Sequence, residues 1–68
     1  MKNFIIVKDS TVFWGSVKGK QIISTFTNVR RWATRLNFNQ ALRVGKLHKD
    51  SQILTLEEFL DYTLNGEI

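Results

Sequence analysis

The chain has 68 residues, of which 43% are hydrophobic, and it contains no cysteine. This length accommodates one domain, residues 1–68, and the absence of cysteine excludes disulfides and thiolate zinc sites. No apolar run approaches the ~20 residues of a transmembrane helix, and the first apolar run is too short for a signal peptide. We therefore expect a cytoplasmic domain that binds no cofactor and no membrane. Because so small a core gives limited stability, we also expect a partner or a homodimer to support it.

The charge is divided sharply along the sequence, although the formal net charge is only +4. Residues 11–49 include eight basic residues and no acid, whereas residues 50–68 include five acids and no base. Such asymmetry is typical of a surface that faces a polyanion, of an acidic tail, or of a contact between copies. The alternative is that the acidic end folds back on the basic middle within one molecule, since small domains usually intersperse the two signs.

Three strands are predicted in the first part of the chain. Runs of β-branched and aromatic residues occur at residues 3–8, 11–17 and 20–27. Asp9 and Ser10 form a turn signal between the first two runs. Gly15 indicates a bulge or a close backbone approach, and Gly19 can supply the positive φ of a tight hairpin turn. Together these signals predict a three-stranded antiparallel meander.

Residues 28–36 allow two interpretations. Four apolar residues have the i, i+3, i+4, i+7 spacing of an amphipathic helix, namely Val29, Trp32, Ala33 and Leu36. The other interpretation makes residues 28–31 a single turn and residues 32–36 a short strand. We favour it slightly, because Asn37 and Asn39 are good N-caps for a new helix, and two helices so close together would need a very tight corner.

The next part of the chain predicts a helix and a short strand. Residues 39–48 have helical character, with an apolar face formed by Phe38, Ala41, Leu42 and Gly45. Gly45 costs ~1 kcal/mol relative to alanine within a helix, so its presence on that face indicates close packing against a sheet. Residues 52–54 are a candidate for one further short strand.

The last helix has the clearest signals. Thr55 and Glu58 fit a capping box, in which each side chain accepts a hydrogen bond from the other residue's backbone. The apolar stripe and the C-terminal stop that follow are formed by Leu56, Phe59, Leu60, Leu64, Asn65 and Gly66. The whole pattern predicts an α+β fold, in which a small antiparallel sheet carries one or two helices on one face. The sheet would combine the N-terminal meander with one or two short extra strands.

The residue types that catalysis or metal binding needs are scarce. His48 is the single histidine, and its place at a predicted helix C-terminus is sufficient explanation for it. Residues 15–21 lack the glycine spacing and the Ser or Thr of a phosphate-binding loop. Three carboxylates on the last helix have no histidine or second acidic cluster beside them: Glu57, Glu58 and Asp61. We therefore expect no enzymatic activity, no metal and no cofactor.

The basic segment gives the most informative functional signal. The side chains that we expect to bind phosphates are Arg30, Arg31, Arg35, Arg43, Lys46 and Lys49. Phe26, Trp32 and Phe38 are interleaved with them, and aromatic rings can stack on unpaired bases. We interpret Trp32 and Phe38 as core residues, since a small domain has few other large apolar side chains to bury. The absence of acids from the segment favours an anionic partner over an ordinary solvated surface.

Two functions are consistent with these observations. The first is a small non-enzymatic module that binds nucleic acid, DNA or RNA, through its arginine-rich face. The alternative is a protein-interaction module, such as a phage-type inhibitor or adaptor of a host protein, that binds through the acidic face of the last helix: Glu57, Glu58 and Asp61. In size, composition and order of elements the chain resembles the small proteins of bacteriophages and mobile elements. That resemblance assigns no residue and no function.

Overall fold

The computed structural model describes residues 3–62. In chain order, the elements of these residues are β1 (Phe4–Lys8), β2 (Thr11–Phe13), β3 (Ser16–Lys18), β4 (Gln21–Ile23), β5 (Phe26–Thr27), a 3₁₀ turn (Arg30–Trp32), α1 (Phe38–Leu47), β6 (Gln52–Thr55) and α2 (Leu56–Leu60). Four strands form an antiparallel sheet in the order β5-β2-β1-β6, and β3 pairs with β4 in a separate hairpin. The predicted α+β class and the antiparallel meander are confirmed.

The first hairpin of the sheet has the geometry that its turn residues predict. β1 pairs with β2 in a register that places Val7 opposite Val12. The two residues between them, Asp9 and Ser10, have φ angles of 48° and 66°. Positive φ at both central residues is what a two-residue hairpin turn of type I′ requires, and short polar side chains tolerate it best.

The second and third predicted strands are each divided into two. Residues 14–15 separate β2 from β3, and residues 24–25 separate β4 from β5. A Cβ atom added at Gly15 would lie 1.6 Å from the carbonyl oxygen of Ile23, so the close backbone approach indicated by the sequence is confirmed. Gly19, with a φ of 57°, forms the turn between β3 and β4. The chain therefore leaves the sheet after β2, forms a hairpin, and returns as β5.

Residues 28–36 fold as a turn followed by extended chain, so the helical interpretation is wrong. The turn is the 3₁₀ turn, and the predicted strand is reduced to one bridge, in which Leu36 and Phe4 exchange two backbone hydrogen bonds of 2.9 Å. The physical reason lies at Thr34, whose backbone N–H donates to the carbonyl of Phe13 at 2.9 Å. A tertiary hydrogen bond replaces the bond that a helix would make at that position.

Both faces of the sheet are covered. Successive residues of β1 point to opposite faces, so that Ile5 and Val7 lie on one side and Ile6 on the other. One buried cluster consists of Ile6, Phe13, Leu36, Ala41 and Val44, and we call this side of the sheet the α1 face. The hairpin β3–β4 also packs against this cluster. The other buried cluster consists of Ile5, Val7, Val12 and Phe59, on the side that we call the α2 face. The longer helix thus packs on one face as predicted, and the short helix α2 packs on the opposite one.

Helix α1 begins at Phe38 because Asn37 caps it. Oδ1 of Asn37 accepts from the backbone N–H of Gln40 at 2.8 Å, and the side chain of Gln40 accepts from the N–H of Asn37 at 3.0 Å. This capping box was not predicted beyond the N-cap itself.

The buried side of α1 differs from the predicted apolar face. Ala41 and Val44 are buried, whereas Phe38 is 53% exposed and Leu42 is 38% exposed. The expectation that Phe38 belongs to the core is therefore wrong. A Cβ atom at Gly45 would lie 3.4 Å from the Cδ1 atom of Ile53 in β6. The helix therefore packs on the sheet along Ala41, Val44 and Gly45.

Helix α2 is capped as predicted but is shorter than its apolar stripe. The hydroxyl of Thr55 accepts from the N–H of Glu58 at 3.1 Å, and the carboxylate of Glu58 accepts from the N–H of Thr55 at 2.9 Å. Phe59 is buried, but Leu60, the last residue of α2, is 78% exposed. The predicted residues Leu64, Asn65 and Gly66 lie outside the described residues. Neither helix found within residues 3–62 combines the length and apolar character that crossing a membrane demands.

Candidate functional site

A groove of about 290 Å³ lies on the α2 face, between the 3₁₀ turn and α2. Its apolar wall is formed by Ile5, Ala33, Leu56, Phe59 and Leu60. Its basic side chains are Arg30, Arg31 and Arg35. The structure therefore brings together half of the basic residues that the sequence singles out, and we call this site the arginine groove.

The basic side of the groove is held in place by the 3₁₀ turn and the segment that follows it. The turn is closed by hydrogen bonds from the N–H groups of Trp32 and Ala33, at 3.0 and 3.1 Å. Thr34 then fixes the segment, because its hydroxyl donates to the carbonyl of Gly15 at 2.9 Å. Since a 3₁₀ helix turns by about 120° per residue, Arg30 and Arg31 leave the backbone in different directions.

Arg30 is tied to α2 rather than directed into solvent. Its guanidinium donates a hydrogen bond to the carbonyl of Phe59, and its central carbon lies 4.4 Å from the centre of the Phe59 ring. The carbonyl belongs to the C-terminal part of α2, where the helix carries partial negative charge. The sequence contains no signal for this contact, which joins residues 29 positions apart. Arg30 thus joins the two walls of the groove.

Arg31 and Arg35 are both exposed at the groove. Neither forms an ion pair with an acid among residues 3–62, where Lys8 and Asp50 form a pair at 3.6 Å. The described part of the acidic segment therefore does not fold back to neutralise these two arginines. Their guanidinium groups remain directed towards solvent beside an apolar wall.

The other three basic residues lie on the opposite side of the sheet. Arg43 and Lys46 belong to α1, and Lys49 lies in the turn after it. At 100° per residue, Arg43 and Lys46 are on the side of α1 that is turned away from buried Ala41 and Val44. The sequence predicts one basic face for all six residues, but the fold distributes them over two.

Two acidic residues of the alternative site are on α2 and the third, Asp61, is its C-cap; they are next to the groove but turned away from it. Leu56, Phe59 and Leu60 face the groove, so the side chains at intermediate positions point outward. Glu57 and Asp61 are exposed there. Glu58, the third predicted residue, accepts a hydrogen bond within the capping box of α2.

The structure also exposes both tryptophans of the chain, one of which, Trp32, lies between the groove residues Arg31 and Ala33 in the sequence. The prediction that Trp32 is a core residue is wrong. Trp14 is 46% exposed and Trp32 is 42% exposed, and their ring centres are 4.7 Å apart at an angle of 32°. Trp32 ends the 3₁₀ turn, none of whose residues is buried. Trp14 follows Val12 by two positions, so the alternation of β2 places it on the same α2 face. We call these residues the tryptophan pair.

Sequence analysis missed Trp14 as a functional candidate. The available signal was its neighbour Gly15, because the close approach at that glycine ends β2 and leaves the preceding side chain at the sheet margin. The backbone N–H of Trp14 donates to the carbonyl of Thr25 at 2.6 Å, which holds the residue in the extended conformation.

His48 lies at the C-terminal end of α1, as predicted, and connects that helix to the chain after β4. Its Nε2 atom is 2.9 Å from the hydroxyl oxygen of Ser24, and its ring packs edge-on against Phe26 with centres 5.0 Å apart. Within residues 3–62, no three His, Cys, Asp or Glu side chains are grouped closely enough to hold a metal ion.

No protein-family model matches the chain, and no significant match exists among curated proteins or solved structures. The site must therefore be interpreted from its own chemistry. That chemistry consists of guanidinium groups around an apolar groove, with two stacked indoles beside it.

Proposed function

We propose that the protein is a small non-enzymatic module that binds nucleic acid, with the arginine groove as its principal contact to phosphates. The observation that carries this proposal is the presence of Arg31 and Arg35 at one groove, both exposed and without an ion-pair partner among residues 3–62. A guanidinium donates two parallel hydrogen bonds to a phosphate, which makes arginine the preferred residue for such contacts.

The remaining basic residues support the same proposal in a secondary role. Arg43, Lys46 and Lys49 add positive charge on the outer side of α1 and after it. Positive charges outside the contact site still raise the local concentration of a polyanion and its rate of association. Phosphate contacts dominate nucleic-acid affinity and make it strongly dependent on salt. The arginines of the groove, which we expect to contact phosphates, should therefore contribute more to the salt dependence than the basic residues on and after α1.

A protein partner is the alternative function, and the exposed acids Glu57 and Asp61 on the outer side of α2 are the observation in its favour. The two functions require opposite signs of charge in the partner. An experiment that removes the charge of one surface at a time therefore distinguishes the two functions.

The test is a salt titration of binding to fluorescently labelled random oligonucleotides, both single-stranded and duplex, followed by anisotropy. Arg31→Gln with Arg35→Gln should weaken binding to all sequences, and should reduce the log–log salt slope by about 0.7–0.9 for each phosphate contact removed. Glu57→Gln with Asp61→Gln should leave binding equal or tighter, since these charges repel a polyanion. Unfolding in urea checks that both variants retain the fold.

Two results would contradict the proposal. One is an absence of salt-dependent binding by the unaltered protein at low ionic strength. The other is binding that the acidic variant loses and the arginine variant retains, which would instead favour the protein partner.

A further inference from the structure

The tryptophan pair is an exposed aromatic surface that the fold holds in position. Tryptophan is usually highly buried in a folded domain, and exposed apolar surface commonly marks a binding site. Trp14 and Trp32 instead remain 46% and 42% exposed while their rings pack against each other at a tilt of 32°. Both are anchored by their own backbone N–H groups, Trp14 to Thr25 and Trp32 to Val29.

This surface adjoins the arginine groove through the 3₁₀ turn. Arg31 and Trp32 are consecutive residues of that turn, so their Cα atoms are about 3.8 Å apart. Their side chains leave the turn in different directions, so a strand that crosses the turn can place a phosphate at Arg31 and an unpaired base at the exposed indole of Trp32. The site combines the two components that proteins use for single strands, which are cations along the backbone and aromatic rings for the bases.

The same geometry disfavours a duplex as the ligand. Bases in a duplex stack on one another and present only their edges in the grooves, so they cannot offer a face to an indole. An unpaired base can extend the stack of the tryptophan pair with its own face. Stacking of this kind also tolerates any sequence, because every base has an aromatic face.

We propose that the protein binds single-stranded nucleic acid, with unpaired bases stacked on the tryptophan pair and the adjoining phosphates held at the arginine groove. This inference rests on the proposed nucleic-acid function and specifies its ligand. It assigns a binding role to Trp14 and Trp32 in addition to that of the arginines.

The test uses the emission of the protein itself, because Trp14 and Trp32 are the two tryptophans of the chain. The probes are a twelve-residue oligothymidylate, an abasic oligomer with the same number of phosphates, the matching oligouridylate, and a duplex of equal length. The two pyrimidine strands should quench the tryptophan emission and bind roughly 5- to 150-fold more tightly than the abasic oligomer for each stacked base. The ratio between them measures the combined effect of the sugar and of the thymine methyl group.

Two variants separate base stacking from phosphate binding. Trp32→Leu should lose most of the preference for the oligothymidylate over the abasic oligomer, whereas Phe38→Leu, a change at an exposed aromatic residue of α1, should retain it. Arg31→Gln should weaken binding of both oligomers equally. Because each preference is a ratio measured on one variant, partial unfolding lowers both affinities and leaves the ratio interpretable.

Equal affinity for the oligothymidylate and the abasic oligomer would overturn this inference while leaving the proposed phosphate binding intact. Tighter binding of the duplex, with no quenching of tryptophan emission, would also overturn it. Failure of every probe to bind at low salt would overturn both proposals.

Discussion

The two faces of the four-stranded sheet are both apolar but are covered in different ways. On the α1 face, a ten-residue helix and the β3–β4 hairpin enclose a cluster in which Phe13 and Val44 are fully buried. On the α2 face, a five-residue helix and the 3₁₀ turn cover Ile5 and Val7 but leave a groove between them. The α1 face is therefore closed by its cover, whereas the α2 face combines buried side chains with an open groove.

The basic residues follow the same division. The cations of α1 lie on the outer side of a well-packed helix, where they act as ordinary surface charges. The arginines of the α2 face border an apolar groove and the tryptophan pair. Three of the six predicted basic residues therefore line the groove, and the other three lie on α1 or directly after it.

The largest expected effect is that of Gly15→Ala, which tests the close backbone approach at the base of the β3–β4 hairpin. The added Cβ atom would lie 1.6 Å from the carbonyl oxygen of Ile23, so the backbone must move. We expect a loss of at least about 3 kcal/mol in the free energy of unfolding, at the upper end of overpacking costs. Unfolding in urea measures it.

Gly19→Ala is the matched control for this substitution. Nothing lies within 4 Å of the Cβ position at Gly19, and the cost comes only from its φ of 57°. We expect about 1–2 kcal/mol there. If Gly15→Ala lowered the free energy of unfolding by no more than Gly19→Ala, the result would contradict the close approach of Gly15 to the carbonyl of Ile23.

The second prediction distinguishes Arg30 from Arg31 by how much each contributes to the free energy of unfolding. Arg30→Gln removes a hydrogen bond to the Phe59 carbonyl and a contact with its ring, and we expect it to cost about 1–2 kcal/mol. Arg31→Gln changes an exposed side chain and should cost less than about 0.5 kcal/mol. Urea midpoints of the two variants check this, and equal midpoints would refute the joining role of Arg30.

The third prediction compares the caps of the two helices. Thr55→Ala and Asn37→Ala each remove the side-chain acceptor of a capping box, and each should cost about 1 kcal/mol. Their effects on nucleic-acid binding should differ, because α2 forms one wall of the arginine groove and α1 does not. Thermal unfolding and oligonucleotide anisotropy on both variants measure the two quantities, and equal loss of affinity would contradict the assignment of the site to the α2 face.

Local signals in the sequence predicted the elements well, because their causes are local. The Asp9-Ser10 turn, the approach at Gly15 and the cap at Thr55 each depend on backbone conformation within a few residues. The pairing of β1 with β2 follows from the first of these turns, because a two-residue connection leaves two strands antiparallel, whereas β5 reaches β2 only after the β3–β4 hairpin.

The composition of the site could not be predicted in the same way, because it depends on contacts between distant parts of the chain. No pattern in the sequence connects Arg30 with Phe59, or Trp14 with Trp32. Aromatic residues at helical spacing suggested a buried Trp32, but the tertiary hydrogen bond of Thr34 ends the turn and leaves that indole outside the core.

The most direct test of the account compares two double variants that remove the same charge from opposite faces. Arg31→Gln with Arg35→Gln alters the α2 face, and Arg43→Gln with Lys46→Gln alters the α1 side. Salt-dependent anisotropy with a single-stranded oligonucleotide should show the larger loss of affinity for the first variant, with its log–log slope reduced by about 1.4 for two lost phosphate contacts. Equal losses, or a larger loss for the second variant, would contradict a binding site on the α2 face.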